Sequence, residues 1–268
     1  MAFKSPRDIV CAVDAAGCAK ATIDTPRLLL LGFLAGAYIA FGGLLAVIVG
    51  GGAPGLAAAN PGLQKFVFGA VFPVGLMLVV IAGAELFTGN TATCLPAVLA
   101  RRISWGSVAR NWVLSYLGNF AGSLFVAYFL TFLTSLLLKD PWLSSIIGIA
   151  EAKTSQAFLP LLLKAVGCNW LVCLAVWLAV SADDVAGKIA AIWFPIMAFV
   201  AIGFEHSVAN MYFIPAGMFY GADVTWADFL VGNLVPVTLG NIIGGMVFVG
   251  VVYWLLYGAR PGTGDGAA

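Results

Sequence analysis

Long stretches without a charged side chain alternate with short polar connections along this chain. Seven stretches contain no Asp, Glu, Lys, Arg or His: 28–64, 66–84, 111–138, 165–182, 189–204, 207–222 and 229–258. A helix needs about 20 predominantly apolar residues to cross a bilayer, and most of these stretches are long enough. The pattern therefore predicts an all-α integral membrane protein.

Six membrane spans account for the pattern. We predict them at 28–50, 66–100, 108–138, 157–180, 188–218 and 228–257. The chain then divides into an N-terminal surface helix (1–27), a six-span transmembrane domain (28–258) and a short tail (259–268). Nine of the 13 Lys and Arg residues fall on the side of the membrane that holds both termini. The positive-inside rule makes that side cytoplasmic, as expected of a multi-pass protein of the cell membrane.

Two of the spans are longer than a membrane requires. Residues 66–100 contain one ionisable side chain, Glu85, and residues 189–222 contain only Glu205 and His206. At ~1.5 Å per residue, either segment would reach ~50 Å as a helix, whereas the hydrocarbon core measures ~30 Å. We therefore predict that the second and fifth helices are each broken by a non-helical loop.

The two broken spans belong to an internal repeat. GAELFTGN at 83–90 aligns with GFEHSVAN at 203–210, and LGNFAG at 117–122 aligns with LGNIIG at 239–244. Three spans per repeat is an odd number, so the halves insert with opposite orientation. Inverted repeats place substrate sites near the midplane, where the broken helices meet. The glycine spacing in both LGN segments favours close helix contacts.

Composition narrows the class of protein further. Charged residues make up 9% of the chain and hydrophobic residues 62%, whereas a soluble domain has roughly 25% charged residues. The formal net charge of +1 gives no electrostatic basis for binding nucleic acid. The five cysteines form no CxxC pair and no metal-ligand spacing, so we expect neither a metal nor a cofactor.

His206 is the leading candidate for handling a substrate. It is the only histidine in the chain and lies in the second predicted break. An ionisable side chain within a membrane is by default a functional hypothesis. Imidazole has an ordinary pKa near 6.5, which lets it exchange a proton near neutral pH. The sequence therefore predicts a substrate-binding or proton-exchanging role for His206.

Several other polar residues lie in or beside the breaks. Glu85 and Glu205 occupy equivalent positions of the repeat, and we expect each carboxylate to accept hydrogen bonds from the free N–H groups of its loop. Asn90 and Asn210 are also equivalent, and either brace the loops or line the path. Thr88 supplies an uncharged hydroxyl three residues past Glu85.

Aromatic, amide and basic residues extend the candidate path. Phe72, Phe87 and Phe199 surround the breaks, where hydrophobic constrictions would block hydrated ions. Asn169 is the only strongly polar side chain in the segment GCNWLVCLAVW (167–177) of the fourth span, and packing and pore lining both remain open for it. Lys153 precedes that span on the outside, where a cation would raise the local anion concentration.

Four segments together resemble the formate/nitrite transporter family, whose members include formate, nitrite and hydrosulfide channels. They are AELFTGN (84–90), EAKTSQ (151–156), GCNWLVCLAVW (167–177) and GFEHSVANMYFIP (203–215). The resemblance covers essentially the whole chain. It departs at Gly89, where the family has Ser or Thr.

The resemblance implies an aquaporin-like protomer in a homopentamer, with one pore in each protomer. It implies that Thr88 and His206 form the central site, with Asn169 and Asn210 nearby. The remaining pore positions that it implies are Phe72 and Phe199 for one constriction, Leu76, Leu86 and Phe87 for the other, Val172 along the pore and Lys153 in the outer vestibule.

We therefore expect bidirectional transport of a small monovalent anion, with formate favoured, across the lipid bilayer and with proton exchange at the central histidine. Nitrite or hydrosulfide is the alternative within the family, and the loops do not decide between them. A neutral-solute pore is less favoured. A membrane enzyme would need a metal or nucleophile cluster, which one histidine and dispersed cysteines do not supply.

Overall fold

The computed structural model describes residues 3–258, so the tail at 259–268, with Arg260, lies outside the described residues. The described chain is helical, and its one β-type contact is an isolated bridge between Phe3 and Ala182. Its α-helices, in chain order, are α1 Pro6–Ala21, α2 Thr25–Ala46, α3 Pro54–Ala59, α4 Pro61–Val71, α5 Val74–Met77, α6 Phe87–Thr93, α7 Leu95–Leu99, α8 Trp105–Phe125, α9 Trp142–Thr154, α10 Phe158–Ser181, α11 Val185–Ile202, α12 Ser207–Phe219, α13 Val235–Gly245 and α14 Val252–Tyr257. Several of them join π-helical segments at Val47–Gly51, Leu78–Gly83, Val126–Phe132, Asp228–Leu234 and Met246–Val251.

Six helical segments are long and apolar enough to cross a membrane. They are Thr25–Gly51, Pro61–Gly83, Trp105–Phe132, Phe158–Ser181, Val185–Ile202 and Asp228–Tyr257. The predicted all-α architecture with six spans is confirmed, and most predicted boundaries lie within a few residues of the observed ones. The two large differences fall at the ends of the second and fifth spans, where the predicted breaks occur.

Both breaks begin at a glycine in the left-handed backbone conformation. Gly83 has a φ of 88° and Gly203 a φ of 87°, a conformation that glycine adopts without the steric strain of a Cβ atom. The chain then runs through a first loop, 84–86, and a second loop, 204–206, before α6 and α12 continue. The predicted broken helices are confirmed, and the aligned glycines of the repeat are the residues that end each half-helix.

The repeated LGN segments bring helix backbones into direct contact. Helix α8 packs along α2, and α13 packs along α10 in the equivalent way. A Cβ atom added at Gly122 would lie 1.9 Å from the carbonyl oxygen of Phe33, and one added at Gly244 would lie 2.3 Å from that of Val166. No larger residue fits at either position. The predicted close helix contacts are therefore confirmed.

The two halves of the molecule also meet each other directly. Tyr116 and Thr238 are equivalent positions of the repeat, 122 residues apart, and their hydroxyl oxygens lie 2.9 Å apart. A hydrogen bond between equivalent positions marks the pseudo-two-fold axis that relates the inverted halves.

The connections contain more helix than the sequence predicted. The segment between the third and fourth spans includes α9, where the sequence predicted only a short connection. This helix is too short to cross a membrane. It places Lys153 in its last turn, where the helix dipole favours a cation.

Helix α1 lies against α7 and α10. The side chains of Ser5 and Asp8 form a capping box at its start. Lys4 pairs with Asp183 in the turn between α10 and α11, and Arg102 pairs with Asp14 at 2.5 Å. These two pairs attach α1 and the residues just before it to the membrane domain.

Candidate functional site

His206 ends the second loop and caps helix α12. Its Nδ1 atom accepts the backbone N–H of Ala209 at 3.1 Å, and its Nε2 atom lies 3.0 Å from Thr88 Oγ1. The residue is only 2% exposed. Because the Nδ1 lone pair already accepts a hydrogen bond, we assign the proton of the neutral ring to Nε2, which donates to the Thr88 hydroxyl.

Thr88 belongs to the other half of the molecule, in the first turn of α6. Its backbone carbonyl accepts hydrogen bonds from Thr91 Oγ1 at 2.7 Å and from Asn169 Nδ2 at 3.1 Å. The same Asn169 amide donates to the carbonyl of Asn241 at 2.6 Å. Asn169 therefore joins α6 to α13.

The first loop is held by a buried ion pair. Glu85 Oε1 lies 2.6 Å from Lys20 Nζ of helix α1, and Glu85 Oε2 accepts from Asn90 Nδ2 at 2.8 Å. Asn90 also donates to Asn111 Oδ1 at 2.9 Å. Asn90 therefore bridges the loop carboxylate and α8.

The second loop repeats this arrangement. Glu205 Oε2 accepts from Lys153 Nζ at 2.9 Å and from Asn210 Nδ2 at 2.8 Å. Asn210 donates further to Asn233 Oδ1 at 2.8 Å. Each half thus contains one lysine, one loop glutamate and two asparagines in a connected network.

The expected partners of the two carboxylates were wrong. The N–H of Phe87 donates to Asn119 Oδ1 at 2.9 Å, and the N–H of Ser207 donates to Asn241 Oδ1 at 2.8 Å. The first N–H groups of α6 and α12 are therefore satisfied by helix side chains, and the N–H of Glu85 within the first loop donates to the carbonyl of Leu31 at 3.2 Å. Glu85 and Glu205 instead accept from lysine and asparagine side chains, which offer charge compensation that a backbone amide lacks.

Two lysine-bearing cavities approach the histidine–threonine contact from opposite sides. The α9 vestibule, of about 360 Å³, is lined by Lys153 and Glu205 and reaches His206. The α1 vestibule, of about 550 Å³, is lined by Lys20 and Glu85. The two vestibules share no lining residue, and Thr88 lines neither. His206 lines the α9 vestibule, and Leu86 and Gly89, on either side of Thr88 in the chain, line the α1 vestibule.

Apolar side chains close each vestibule. The rings of Phe72 and Phe199 meet edge to face in the α9 vestibule with their centroids 5.9 Å apart. Phe199 also lies against the His206 ring, at a centroid distance of 5.8 Å. Leu76 and Leu86 line the α1 vestibule. Each approach to the histidine is thus narrowed by apolar groups.

Phe87 and Val172 line neither vestibule. The Phe87 ring packs edge-on against Tyr116 of α8 at a centroid distance of 4.9 Å, so the structure does not place it with Leu76 and Leu86. Val172 is buried in α10, and Val176, one turn further along that helix, lines the α1 vestibule.

Sequence reasoning missed several residues of the site. Asn119 and Asn241 were visible only as members of the LGN repeat, which was interpreted through its glycines. Asn111 and Asn233 were visible in the same register. Lys20 carried no signal, because α1 lies outside the repeat and reaches Glu85 only through its position on the folded protein.

The fold and site together define a class of protein. A polar contact is buried where two broken helices from inverted repeats meet, with an apolar constriction and a cationic vestibule on each side. Among residues 3–258, no three His, Cys, Asp or Glu side chains form a metal-binding cluster. This arrangement is that of a membrane channel or transporter for a small solute.

Comparison with known proteins gives the family. The sequence profile described as formate/nitrite transporter matches residues 7–255, and the chain belongs to this family of transporters and channels, which are not enzymes. It is 52% identical to a probable formate transporter of Methanothermobacter thermautotrophicus, over 95% of this chain and 97% of the relative. It is 48% identical to a formate channel of Bacillus thuringiensis, over 96% of this chain and 97% of the relative.

Two solved structures share the fold. An ion channel of the same family superposes with a TM-score of 0.85 at 36% identity, covering 93% of this chain and 98% of that one. A pentameric formate channel with formate bound superposes with a TM-score of 0.77 at 34% identity, covering 87% and 97%. The family resemblance and the fold class predicted from the sequence are confirmed.

Proposed function

We propose that this protein conducts formate in both directions across the cell membrane, with proton exchange at His206, as a homopentamer whose termini are cytoplasmic. The observation that carries the proposal is the buried contact of 3.0 Å between His206 Nε2 and Thr88 Oγ1, which the α9 vestibule reaches at His206 and beside which the α1 vestibule is lined by Leu86 and Gly89. The identity to relatives named as formate transporter and formate channel supports formate as the substrate. The likeness to a pentameric channel supports the assembly.

Both vestibules carry an excess of positive charge. The α9 vestibule has three lysines, Lys65, Lys153 and Lys164, and one carboxylate, Glu205, which leaves a net charge of +2 (3 − 1). The α1 vestibule has Lys20 and Arg27 against Glu85, which leaves +1 (2 − 1). A cleft of one sign of charge raises the local concentration of the opposite ion, so both sides attract a small anion.

The apolar constrictions favour a neutral form of the solute. An isolated carboxylate loses its hydration between the Phe72 and Phe199 rings, at a free-energy cost of several kcal/mol or more. Formic acid loses much less, because it carries no net charge. A proton donor beside the constriction therefore lowers the barrier, and His206 contacts the Phe199 ring.

The exchange balances as follows. As formate arrives, the His206 ring takes a second proton from water in the vestibule. It then passes its Nε2 proton to formate, and formic acid crosses and dissociates to formate and a proton on the other side. The second proton occupies Nδ1, so the ring must release the Ala209 N–H that it now accepts. The adjacent anion offsets this loss by stabilising the charged ring. After the transfer, Nδ1 gives its proton to water and Nε2 takes one from water, which restores the starting ring, so that one proton is consumed for each formate carried.

Nitrite is the second candidate, because the family that matches residues 7–255 is described as transporting formate or nitrite. Nitrite and hydrosulfide are also monovalent anions of weak acids, so the same donors and the same exchange step would serve them. The excess of positive charge in both vestibules argues against a pore for neutral solutes.

A substrate panel in proteoliposomes tests the proposal. Formate, nitrite and glycerol fluxes are measured with and without an imposed pH gradient, together with the membrane current. We expect formate to accumulate on the alkaline side with little current, and His206→Phe to abolish this response. The matched control is Lys139→Met, an exposed lysine outside both vestibules. Unchanged rate and pH dependence in His206→Phe would contradict proton exchange at the histidine.

Orientation is tested separately through helix α1. Cys11 is exposed on this helix, so a membrane-impermeant maleimide labels it only from the side on which the helix lies. We expect labelling in inside-out vesicles and protection in intact cells. Labelling in intact cells would reverse the proposed topology.

A further inference from the structure

One asparagine in α13 holds the backbone on both sides of His206. Asn241 Nδ2 donates to the carbonyl of Glu205 at 3.0 Å, and Asn241 Oδ1 accepts the N–H of Ser207 at 2.8 Å. Its second amide hydrogen goes to the carbonyl of Ala165 in α10, at 2.9 Å. The single side chain therefore fixes the residues directly before and after His206 relative to two helices.

Helix α8 carries the same device in the first half. Asn119 Nδ2 donates to the carbonyl of Glu85 at 2.9 Å and to that of Gly32 at 2.8 Å, and its Oδ1 accepts the N–H of Phe87 at 2.9 Å. The residue held between Glu85 and Phe87 is Leu86, which lines the α1 vestibule. Each half thus uses one asparagine to hold the residue that faces the path.

Asparagine is suited to this task by its chemistry. The three bonds use two N–H donors and one carbonyl acceptor on a short planar group. Aspartate at neutral pH has no donor, and glutamine is one methylene longer. Both asparagines are fully buried, so replacing either with an apolar residue leaves buried backbone groups without partners.

Asn241 is also linked to the other member of the central contact. Its backbone carbonyl accepts from Asn169 Nδ2 at 2.6 Å, and the same amide donates to the carbonyl of Thr88 at 3.1 Å. The backbone around His206 and the backbone of Thr88 are therefore both linked by hydrogen bonds to Asn241 of α13, the second through Asn169. In the first half, the equivalent contact with the Asn119 carbonyl oxygen is made at Gly36, which has no hydrogen-bonding side chain.

We propose that Asn241 is a positioning residue that sets the approach of His206 Nε2 to Thr88 and to the substrate, and that Asn119 positions the Leu86 constriction. This inference rests on the proposed role of His206. It separates two equivalent asparagines by function: loss of Asn241 alters the proton exchange, whereas loss of Asn119 alters only the passage through an apolar constriction.

Other titratable groups face His206 and must stay intact in the test. In the α9 vestibule they are Lys65 of α4, Lys153 of α9, Lys164 of α10 and Glu205 of the second loop. Cys168 lies buried on α10, and Lys20 and Glu85 lie beyond the constriction in the α1 vestibule. Substitution of asparagine by leucine introduces no new titratable group and leaves all of these in place.

The test compares Asn241→Leu with the matched variant Asn119→Leu in proteoliposomes. Formate uptake is measured between about pH 5 and 8, where an imidazole titrates. We expect each variant to lower uptake at least about tenfold, since loss of even one of the three hydrogen bonds has an effect of that size. Asn241→Leu also removes the dependence of the rate on pH, as His206→Phe does, whereas Asn119→Leu keeps the wild-type pH profile.

The outcomes separate the two proposals. A wild-type pH profile in His206→Phe overturns the proposed function and the positioning role with it. If the pH profile changes in His206→Phe but stays wild-type in Asn241→Leu, the positioning role alone is overturned. It is also overturned if Asn241→Leu and Asn119→Leu change the pH profile in the same way. If Asn241→Leu does not assemble by size-exclusion chromatography, Asn241→Ser gives the same comparison against Asn119→Ser, with the same expected results.

Discussion

The first loop, 84–86, and the second loop, 204–206, have equivalent supports but different contents. Each follows a left-handed glycine, each carries a glutamate paired with a lysine, and each is held by one asparagine. Between the supports, Leu86 occupies the position of His206. The duplicated part of the fold provides rigid loops, and the chemistry lies where the halves differ.

The central contact itself combines one residue from each half. His206 comes from the second half and Thr88 from the first, and their repeat equivalents are Leu86 and Val208, which are both apolar. The repeat thus brings Leu86 and Thr88 of the first half together with His206 and Val208 of the second half. In each half, only one of the two side chains is polar. A small anion therefore meets a hydrogen-bonding wall and an apolar wall.

The largest effect is expected when the second loop is made like the first. His206→Leu should lower formate flux about 100-fold, the lower range of what a positioned proton-transferring group contributes. The swap His206→Leu with Leu86→His should not restore it, because the histidine would then face Val208 in place of Thr88. The measurement is uptake in proteoliposomes. Recovery of flux in the double variant would mean that the halves are interchangeable.

The next effect concerns the two buried ion pairs. Breaking a buried pair costs about 3–5 kcal/mol, and partial exposure of these lysines reduces the expected value to about 1–3 kcal/mol. Lys153→Met should destabilise the protein and also weaken anion attraction in the α9 vestibule, because Glu205 is left unpaired. Thermal unfolding measures the first effect and the concentration dependence of uptake the second. Glu205→Gln with Lys153→Met should recover part of the stability.

A smaller effect is expected from removing helix α1. Only the first half takes its lysine from this helix, so deletion of residues 1–21 leaves Glu85 without Lys20. Half-maximal uptake from the α1 side should need up to about tenfold more formate. Uptake from the α9 side should keep its concentration dependence. Lys20→Met, which retains the helix, separates loss of charge from loss of the segment. An equal change from both sides would contradict the assignment of α1 to one vestibule.

The smallest effect is expected at the attachment of α1. Lys4 lowers the pKa of the Asp183 carboxyl below its ordinary value of 3.8. Because the folded-state pKa is the lower one, the contact stabilises the protein above the unfolded value and is lost as pH falls through the folded one. Asp183→Asn should therefore speed hydrogen exchange in α1 at neutral pH without changing formate flux. Unchanged exchange at neutral pH would show that the pair does not hold the helix.

The sequence allowed prediction of the spans, the breaks and the central histidine because each rests on local pattern. The apolar segments that contain Glu85 and Glu205 would be longer as helices than the hydrocarbon core is thick. The aligned glycines mark where each helix ends. The partners of those glutamates could not be predicted. Lys20 and Glu85 are 65 residues apart, and only the packing of α1 against the membrane domain joins them.

The contacts of the Asn241 and Phe87 side chains could not be predicted from the sequence for a related reason. Asn241 acts through three hydrogen bonds whose partners lie on α10 and the second loop, and periodicity contains no information on such geometry. Phe87 is adjacent to Thr88 in the chain, but its ring packs on α8. Position in a loop therefore did not determine the direction of the side chain.

The order of the two ion pairs along the chain has a consequence for biosynthesis. In both pairs the lysine precedes the glutamate, by 65 residues for Lys20 and Glu85 and by 52 for Lys153 and Glu205. Ribosomes add about 5–20 residues per second, so each ammonium group leaves the ribosome seconds before its carboxylate. When Glu85 or Glu205 is synthesised, the lysine that pairs with it is thus already part of the nascent chain. Neither glutamate has to wait for a later segment to be translated before it is neutralised.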